Sequence, residues 1–213
     1  MMKAKISYMK KLKLLKSYQN NDILKFDFKR NEIKLRLIDQ SNETIRFSLK
    51  WRTKFWDYFD TKFKGNPQRT EKWIEDILKN PKRILFLIYC NENKIGHIGF
   101  DHYDNKKKTV IIQNVILAER KKYPPGTMKK ILEKMIRWMF MEFNFRTIQL
   151  KVFSDNYKAI NVYEKCGFLT VGNEALMRKF TKDGWKWIKN DLRSRSYPER
   201  WFNIMEISRN DVV

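Results

Sequence analysis

SDNYKAINVYEKCGF, residues 154–168, reads as a short helix with a hard stop. Ser154 or Asp155 can serve as N-cap, because a short side-chain oxygen accepts from an otherwise orphaned backbone N–H. Ala159, Ile160 and Tyr163 recur at helical spacing and share one face. Gly167 stands where a helix ends in left-handed backbone, and Phe168 opens a new apolar run. The product is a helix with a small apolar face and a tyrosine on it.

Outward from this helix the chain alternates between the two periodicities of regular structure. Residues 147–153 read as a strand. Residues 127–143 read as the strongest helix, with Met128, Ile131, Leu132, Met135, Ile136, Met139 and Phe140 on a wide apolar stripe. Before it come three strands joined by short turns, a β-meander: 84–90, a continuous apolar run; 94–103, where Gly96 and Gly99 leave room for close approach; and 109–117. Strand, helix, strand, helix in that order implies parallel pairing across the first helix. Farther upstream, 33–38 alternates as a strand and Asp39-Gln-Ser-Asn is turn material. Residues 45–63 are rich in Trp, Phe and Arg and fit helical spacing imperfectly. Gly65-Asn-Pro breaks the chain, Thr70 looks like an N-cap for 71–79, and Asn80-Pro81 ends that helix. Downstream, 168–171 reads as a strand, with a helix near 185–193 and a last strand near 201–207. The fold class is α+β, with a mixed, mostly antiparallel sheet flanked by helices.

Composition sets the outer limits. The 213 residues are 42% hydrophobic and 15% aromatic, ample for a core. No apolar run is long enough to span a membrane, and the basic start lacks the apolar block of a secretory signal. Cys90 and Cys166 sit in apolar contexts, as buried thiols of a reducing, cytoplasmic compartment would. Two cysteines and two histidines in no ligand spacing leave a metal site improbable. Lys and Arg number 46 against 24 Asp and Glu, a formal charge of +22. That balance permits an anionic partner: nucleic acid, acidic lipid or a phosphate-bearing small molecule. The cations are spread over the chain and no RNA-binding signature or zinc finger is present, so nucleic acid is not the expected partner. Residues 1–30 form a basic N-terminal extension, a short amphipathic helix or a loose arm. Residues 31–213 form a single domain, of which 173–213 is a C-terminal extension.

The order Asn156, Ala159, Tyr163, Gly167-Phe168 resembles the N-x-x-A-x-x-x-Y-x-x-x-G-F segment of the GNAT superfamily of acyl-CoA-dependent N-acyltransferases. The likeness extends over residues 33–172. Val115-Ile-Leu-Ala-Glu119 looks like that family's strand leading into its acyl-CoA loop, and Lys121-Lys-Tyr-Pro-Pro-Gly126 occupies its [QR]-x-x-G-x-[GA] position. Lys121 replaces Gln or Arg there, and Pro124 replaces Gly. Pro124 and Pro125 carry no N–H, leaving Lys122, Tyr123, Gly126, Thr127 and Met128 to donate to a pyrophosphate at the helix start. The resemblance implies a V-shaped opening between strands 109–117 and 147–153 that takes acetyl-CoA. Its pantetheine arm would pair with Val115, Ile116 and Leu117 and with Asn156. Tyr163 would act as general acid on the leaving sulfur. His102 is the candidate base, with Gln113 and Asn114 orienting a water relay.

Leu49-Lys-Trp51-Arg52 resembles the "WRN" of GNATs that acetylate amino-sugars on nucleotide carriers, with Thr53 in place of Asn. Thr70-Glu-Lys-Trp73-Ile74 resembles a helix of that group and of the ribosomal-protein N-terminal acetyltransferases. Trp51 can stack on a sugar or base, and Arg52 can grip a carboxylate or phosphate. The expected acceptor is a primary amine of a nucleotide-linked amino-sugar, attacked directly in a ternary complex. The alternatives are a protein N-terminal or lysine amine, or a GNAT-like binding module without catalysis. A homodimer is compatible with either extension.

Overall fold

The computed structural model describes residues 7–18, 21–63, 65–182, 184–191 and 197–212. In chain order the helices are α1 (Tyr8–Ser17), α2 (Asn42–Lys54), α3 (Pro67–Lys79), α4 (Thr127–Glu142) and α5 (Tyr157–Glu164). The strands are β1 (Asp22–Phe28), β2 (Asn31–Leu37), β3 (Thr61–Phe63), β4 (Ile84–Cys90), β5 (Asn93–Asp104), β6 (Thr109–Leu117), β7 (Thr147–Phe153), β8 (Leu169–Thr181), β9 (Gly184–Lys189) and β10 (Arg200–Ser208). They form one sheet in the order β1-β2-β4-β5-β6-β7-β10-β8-β9-β3. Every pairing is antiparallel except that of β6 with β7.

The sheet is covered on both faces, and β4 shows how. All seven of its residues are buried. Ile84, Phe86, Ile88 and Cys90 join one core with α1, α4 and α5, while Leu85, Leu87 and Tyr89 join the other with α2 and α3. A strand whose alternate side chains enter two cores has no polar face to spare, which is why this segment reads as unbroken apolar sequence. The α4 stripe is fully buried from Ile131 to Phe140 on the first core. The helix in the N-terminal extension is α1; its Leu12 is completely buried, and β1 extends the sheet beyond β2.

Three local expectations are corrected. The segment near 185–193 is the strand β9 where described, with residues 192 and 193 outside the described set. Trp185 and Trp187 alternate with Lys186, a strand pattern, and their rings meet edge to face at 5.0 Å. Helix α3 starts at Pro67 rather than after Thr70: Asn66 Oδ1 caps Arg69 N–H at 2.8 Å and proline takes the first turn. Asn156, not Ser154 or Asp155, caps α5, accepting from Ala159 N–H at 3.3 Å. Asp155 instead holds Arg200 in a two-pronged pair at 2.8 and 3.0 Å. Among the described residues no helix is long and apolar enough to cross a membrane.

Candidate active site

Strands β6 and β7 pair only from Thr109↔Thr147 to Ile112↔Leu150. Beyond that point they part, and the gap is a cleft of about 710 Å³ lined on one side by Gln113–Leu117 and on the other by Lys151–Phe153. The parting has a local cause in β6. Its partner β5 matches His97 to Ile116 and Gly99 to Gln113, so β6 carries one residue more than β5 across this interval. Asn114 absorbs it with a φ of 55°. Such a bulge re-aims a strand.

Two residues of β5 support the bulge. His97 is completely buried and its Nδ1 lies 2.5 Å from the Asn114 carbonyl oxygen. That carbonyl can only accept, so Nδ1 carries the proton. Burial, above all, lowers the imidazole pKa to about 4, with the nearby Arg52 guanidinium adding to the effect and the Asn114 hydrogen bond opposing it. Gly96 lies against the same backbone, and a Cβ there would stand 1.9 Å from the Ile116 carbonyl oxygen.

At the end of β6 the chain enters the basic loop. Lys122 N–H donates to Glu119 O at 2.9 Å, Tyr123 N–H to Arg120 O at 3.4 Å and Thr127 N–H to Pro124 O at 3.1 Å. Three of the five donors expected from sequence are therefore spent inside the loop. The N–H groups of Gly126, Met128 and Lys129 have no partner among the described residues. Gly126 takes a φ of 89° at the start of α4, and Met128 lines the cleft with Lys121 and Lys122. This unsatisfied helix start, beside Arg120, Lys121 and Lys122, fits a pyrophosphate.

Helix α5 supplies the opposite wall. Asn156, Ala159, Val162 and Tyr163 line the cleft. Because Asn156 Oδ1 serves as cap, its amide nitrogen is the group left to donate. The Tyr163 side chain is mostly buried, and desolvation raises its phenol pKa well above the ordinary range, so it stays protonated. No described group hydrogen-bonds its hydroxyl.

Of the other residues singled out from sequence, Gln113, Asn114, Val115, Ile116 and Leu117 line the cleft. Tyr123, Gly126 and Thr127 belong to its loop without lining it. His102 lies outside the cleft, on an exposed bulge of β5, with its Nδ1 3.6 Å from Asp101. Asp101 also accepts from the Gln113 amide at 3.2 Å. Trp51 packs in the second core against Phe47 and His97 and does not line the cleft. Arg52 stacks on Phe59 at 4.3 Å and faces a separate cavity. Sequence reasoning missed Phe55, Tyr58, Phe59 and Phe202 in the cleft wall. Their only local signal is aromatic density, which a core residue gives equally.

Among the described residues, six cationic side chains line the cleft, Lys54, Arg120, Lys121, Lys122, Lys151 and Lys158, against one carboxylate, Glu119, with Lys151 also paired to Glu174 at 2.8 Å. Glu119 is already paired with Lys122 at 2.5 Å.

Residues 42–191 match the model of the acetyltransferase (GNAT) domain. Spermidine N(1)-acetyltransferase of Vibrio cholerae is 23% identical over 127 residues, 60% of this chain and 71% of that protein. An uncharacterized, SPbeta prophage-derived N-acetyltransferase of Bacillus subtilis is 26% identical over 123 residues, 56% of this chain and 66% of that protein. Among solved structures, spermidine N-acetyltransferase from Vibrio cholerae with CoA and spermine superimposes with a TM-score of 0.65 at 17% identity, covering 84% of this chain and 97% of that one. The ribosomal L7/L12 alpha-N-protein acetyltransferase with coenzyme A gives 0.65 at 15% identity, covering 83% and 93%. These two likenesses establish the fold.

Proposed function

The chain belongs to the GNAT acetyltransferase family and is an acetyl-CoA-dependent N-acyltransferase; from this premise we propose that its acceptor is a primary amine on an anionic molecule, a nucleotide-linked amino-sugar foremost. One observation carries the choice: among the described residues no cleft carboxylate is spare to bind a polycation, while the cations there are in excess. A polyamine brings several charges that each need an acidic or π partner. An amine tethered to phosphate or carboxylate meets complementary charge instead. The terminal amine of an acidic protein fits the same field and is the second reading, favoured by the ribosomal-protein relative's fold.

Acetyl-CoA supplies an activated acyl group. Arg120, Lys121, Lys122 and the free N–H groups at the start of α4 would hold its phosphates. The edge of β6 beyond Ile112 and the Asn156 amide would hold its arm. A backbone N–H of Val115–Leu117 would stabilise negative charge on the thioester oxygen as the amine attacks. Tyr163 would donate its proton, or a hydrogen bond, to the departing sulfur. The incoming amine's proton would leave through water ordered by Gln113, whose amide is fixed by Asp101. His102, exposed and outside the cleft, has no direct line to the amine.

The test has two stages. Calorimetric titration with acetyl-CoA and with coenzyme A is expected to give micromolar binding. Thiol release is then measured with nucleotide-linked amino-sugars, acidic peptides and spermidine. Turnover confined to spermidine would overturn the anionic-acceptor reading.

A further inference from the structure

The chain that leaves α2, with a 3-10 turn at Trp56–Tyr58, is fastened to both walls of the acyl cleft. On the β6 side, Lys54 Nζ donates to the Ala118 carbonyl at 3.2 Å. On the α5 side, Arg200 of β10 donates through Nη1 to the Asp57 carbonyl at 2.9 Å, while its Nε and Nη2 hold Asp155 just ahead of α5. The Arg200 guanidinium lies 3.6 Å from the ring centre of Phe153, which lines the cleft, and its side chain is only 11% exposed. Lys62 adds a third tie, donating to the Trp56 carbonyl and pairing with Asp57 at 3.3 Å.

The backbone of this turn is thus held by side chains, whereas the side chain it presents is not. Tyr58 lines the cleft and is 49% exposed. Among the described residues nothing hydrogen-bonds its hydroxyl and no ring stacks on it. A tyrosine on fixed backbone loses little freedom when a ligand meets it, and it offers both a flat apolar face and a polar tip. The groups proposed to hold acetyl-CoA are the basic loop, the start of α4, the β6 edge and Asn156. Tyr58 is none of these, which leaves it to the acceptor.

We propose that Arg200 is a positioning residue for acyl transfer: from outside the cleft it locks the Trp56–Tyr58 turn to the head of α5, and Tyr58 is thereby set to bind the acceptor beside its amine. A guanidinium suits the task because its planar fork grips a carboxylate with one edge and still has a donor for a carbonyl beyond it. A lysine ammonium carries the same charge without that span. The inference rests on the placement proposed for acetyl-CoA and holds for an anionic or a cationic acceptor alike.

The assay uses whichever of a nucleotide-linked amino-sugar, an acidic peptide and spermidine the wild type acetylates fastest, so failure of the anionic-acceptor reading changes the substrate and not the test. Arg200→Met is expected to raise the acceptor KM about tenfold, with kcat and the calorimetric affinity for coenzyme A each within about twofold of wild type. Arg200→Lys is expected to show the same rise, and it serves as the test should Arg200→Met not fold. Tyr58→Ala, at a half-exposed position, is expected to raise the acceptor KM about tenfold as well. The double variant is expected to stay near tenfold, where independent effects would multiply to about a hundredfold. With no acceptor present, amide exchange over residues 56–59 is expected to quicken about threefold or more in the Arg200 variants, with α4 unmoved. A lower melting temperature with the acceptor KM unmoved, full rescue by Arg200→Lys, multiplying effects in the double variant, or unchanged exchange in the turn overturns the proposal.

Discussion

Tyr163 and His97 are both buried and both uncharged, and the consequences differ because one faces the cleft and the other faces away. Tyr163 keeps its proton because burial disfavours phenolate, and its hydroxyl lines the cleft on the α5 wall beside Asn156 and Lys158. Tyr163→Phe removes that proton and little else. We expect kcat to fall about a hundredfold with the KM for acetyl-CoA unchanged, as for loss of a general acid. Full turnover would show that solvent protonates the thiolate. His97 works from behind, fixing the Asn114 carbonyl and so the bulge. Its folded pKa, about 4, is below the ordinary 6.5, so the unfolded chain binds the extra proton between those values. Its share of stability is therefore complete above pH 6.5 and is lost as pH falls toward 4, to a total of about 3 kcal/mol. Urea midpoints measured from pH 7 to pH 4 check this. His97→Gln is expected to be less stable at pH 7 and to lose less on acidification; an unchanged pH slope would mean that His97 does not stay neutral in the fold.

At the scale of elements, the site depends on β6 carrying one residue more than β5 between Gln113 and Ile116. The β6 bulge needs a glycine opposite it, because any Cβ at position 96 would collide with the Ile116 carbonyl. Gly96→Ala must therefore push β6 into the cleft or unpair it from β5. We expect a loss of about 3 kcal/mol in stability, together with at least about tenfold weaker coenzyme A binding by calorimetry. A stable variant with normal binding would separate the bulge from the cofactor site. Elements of this kind divide into those legible in the chain and those that are not. The meander β4–β6 and helix α4 are legible, because their apolar periodicity is also their burial pattern. Strand β9 is not, since Trp and Lys within six residues satisfy helix and strand spacing alike, and its partners β8 and β3 decide the matter. The loop after β6 is half legible. Its two prolines mark lost donors, but the carbonyls of Glu119, Arg120 and Pro124 consume three more.

For the whole molecule, two features arise only from assembly. Strand β10 inserts between β7 and β8, although both precede it in the chain, and so brings Phe202 into the cleft wall. No local pattern in residues 200–208 announces that insertion. Arg200 then ties the two halves of the site together. It pairs with Asp155 at the head of α5, lies 3.6 Å over Phe153 and donates to the Asp57 carbonyl at 2.9 Å, in the turn that carries Tyr58. The second feature is the field. A formal charge of +22 over 213 residues, concentrated by a cleft whose described lining has six cations and one paired carboxylate, attracts anions before contact. Screening should weaken this attraction, because the Debye length shrinks from about 14 Å at 50 mM salt to about 4 Å at 500 mM. We therefore expect kcat/KM for acetyl-CoA to fall about tenfold over that range, and kcat/KM for an anionic acceptor to fall with it. A polyamine, repelled by the same field, should instead gain from added salt. Steady-state rates at both salt levels, with each substrate varied while the other saturates, separate the cases. An acceptor whose kcat/KM rises with salt is a cation working against the field, and its recognition would have to come from the rings of Phe55, Tyr58 and Phe59.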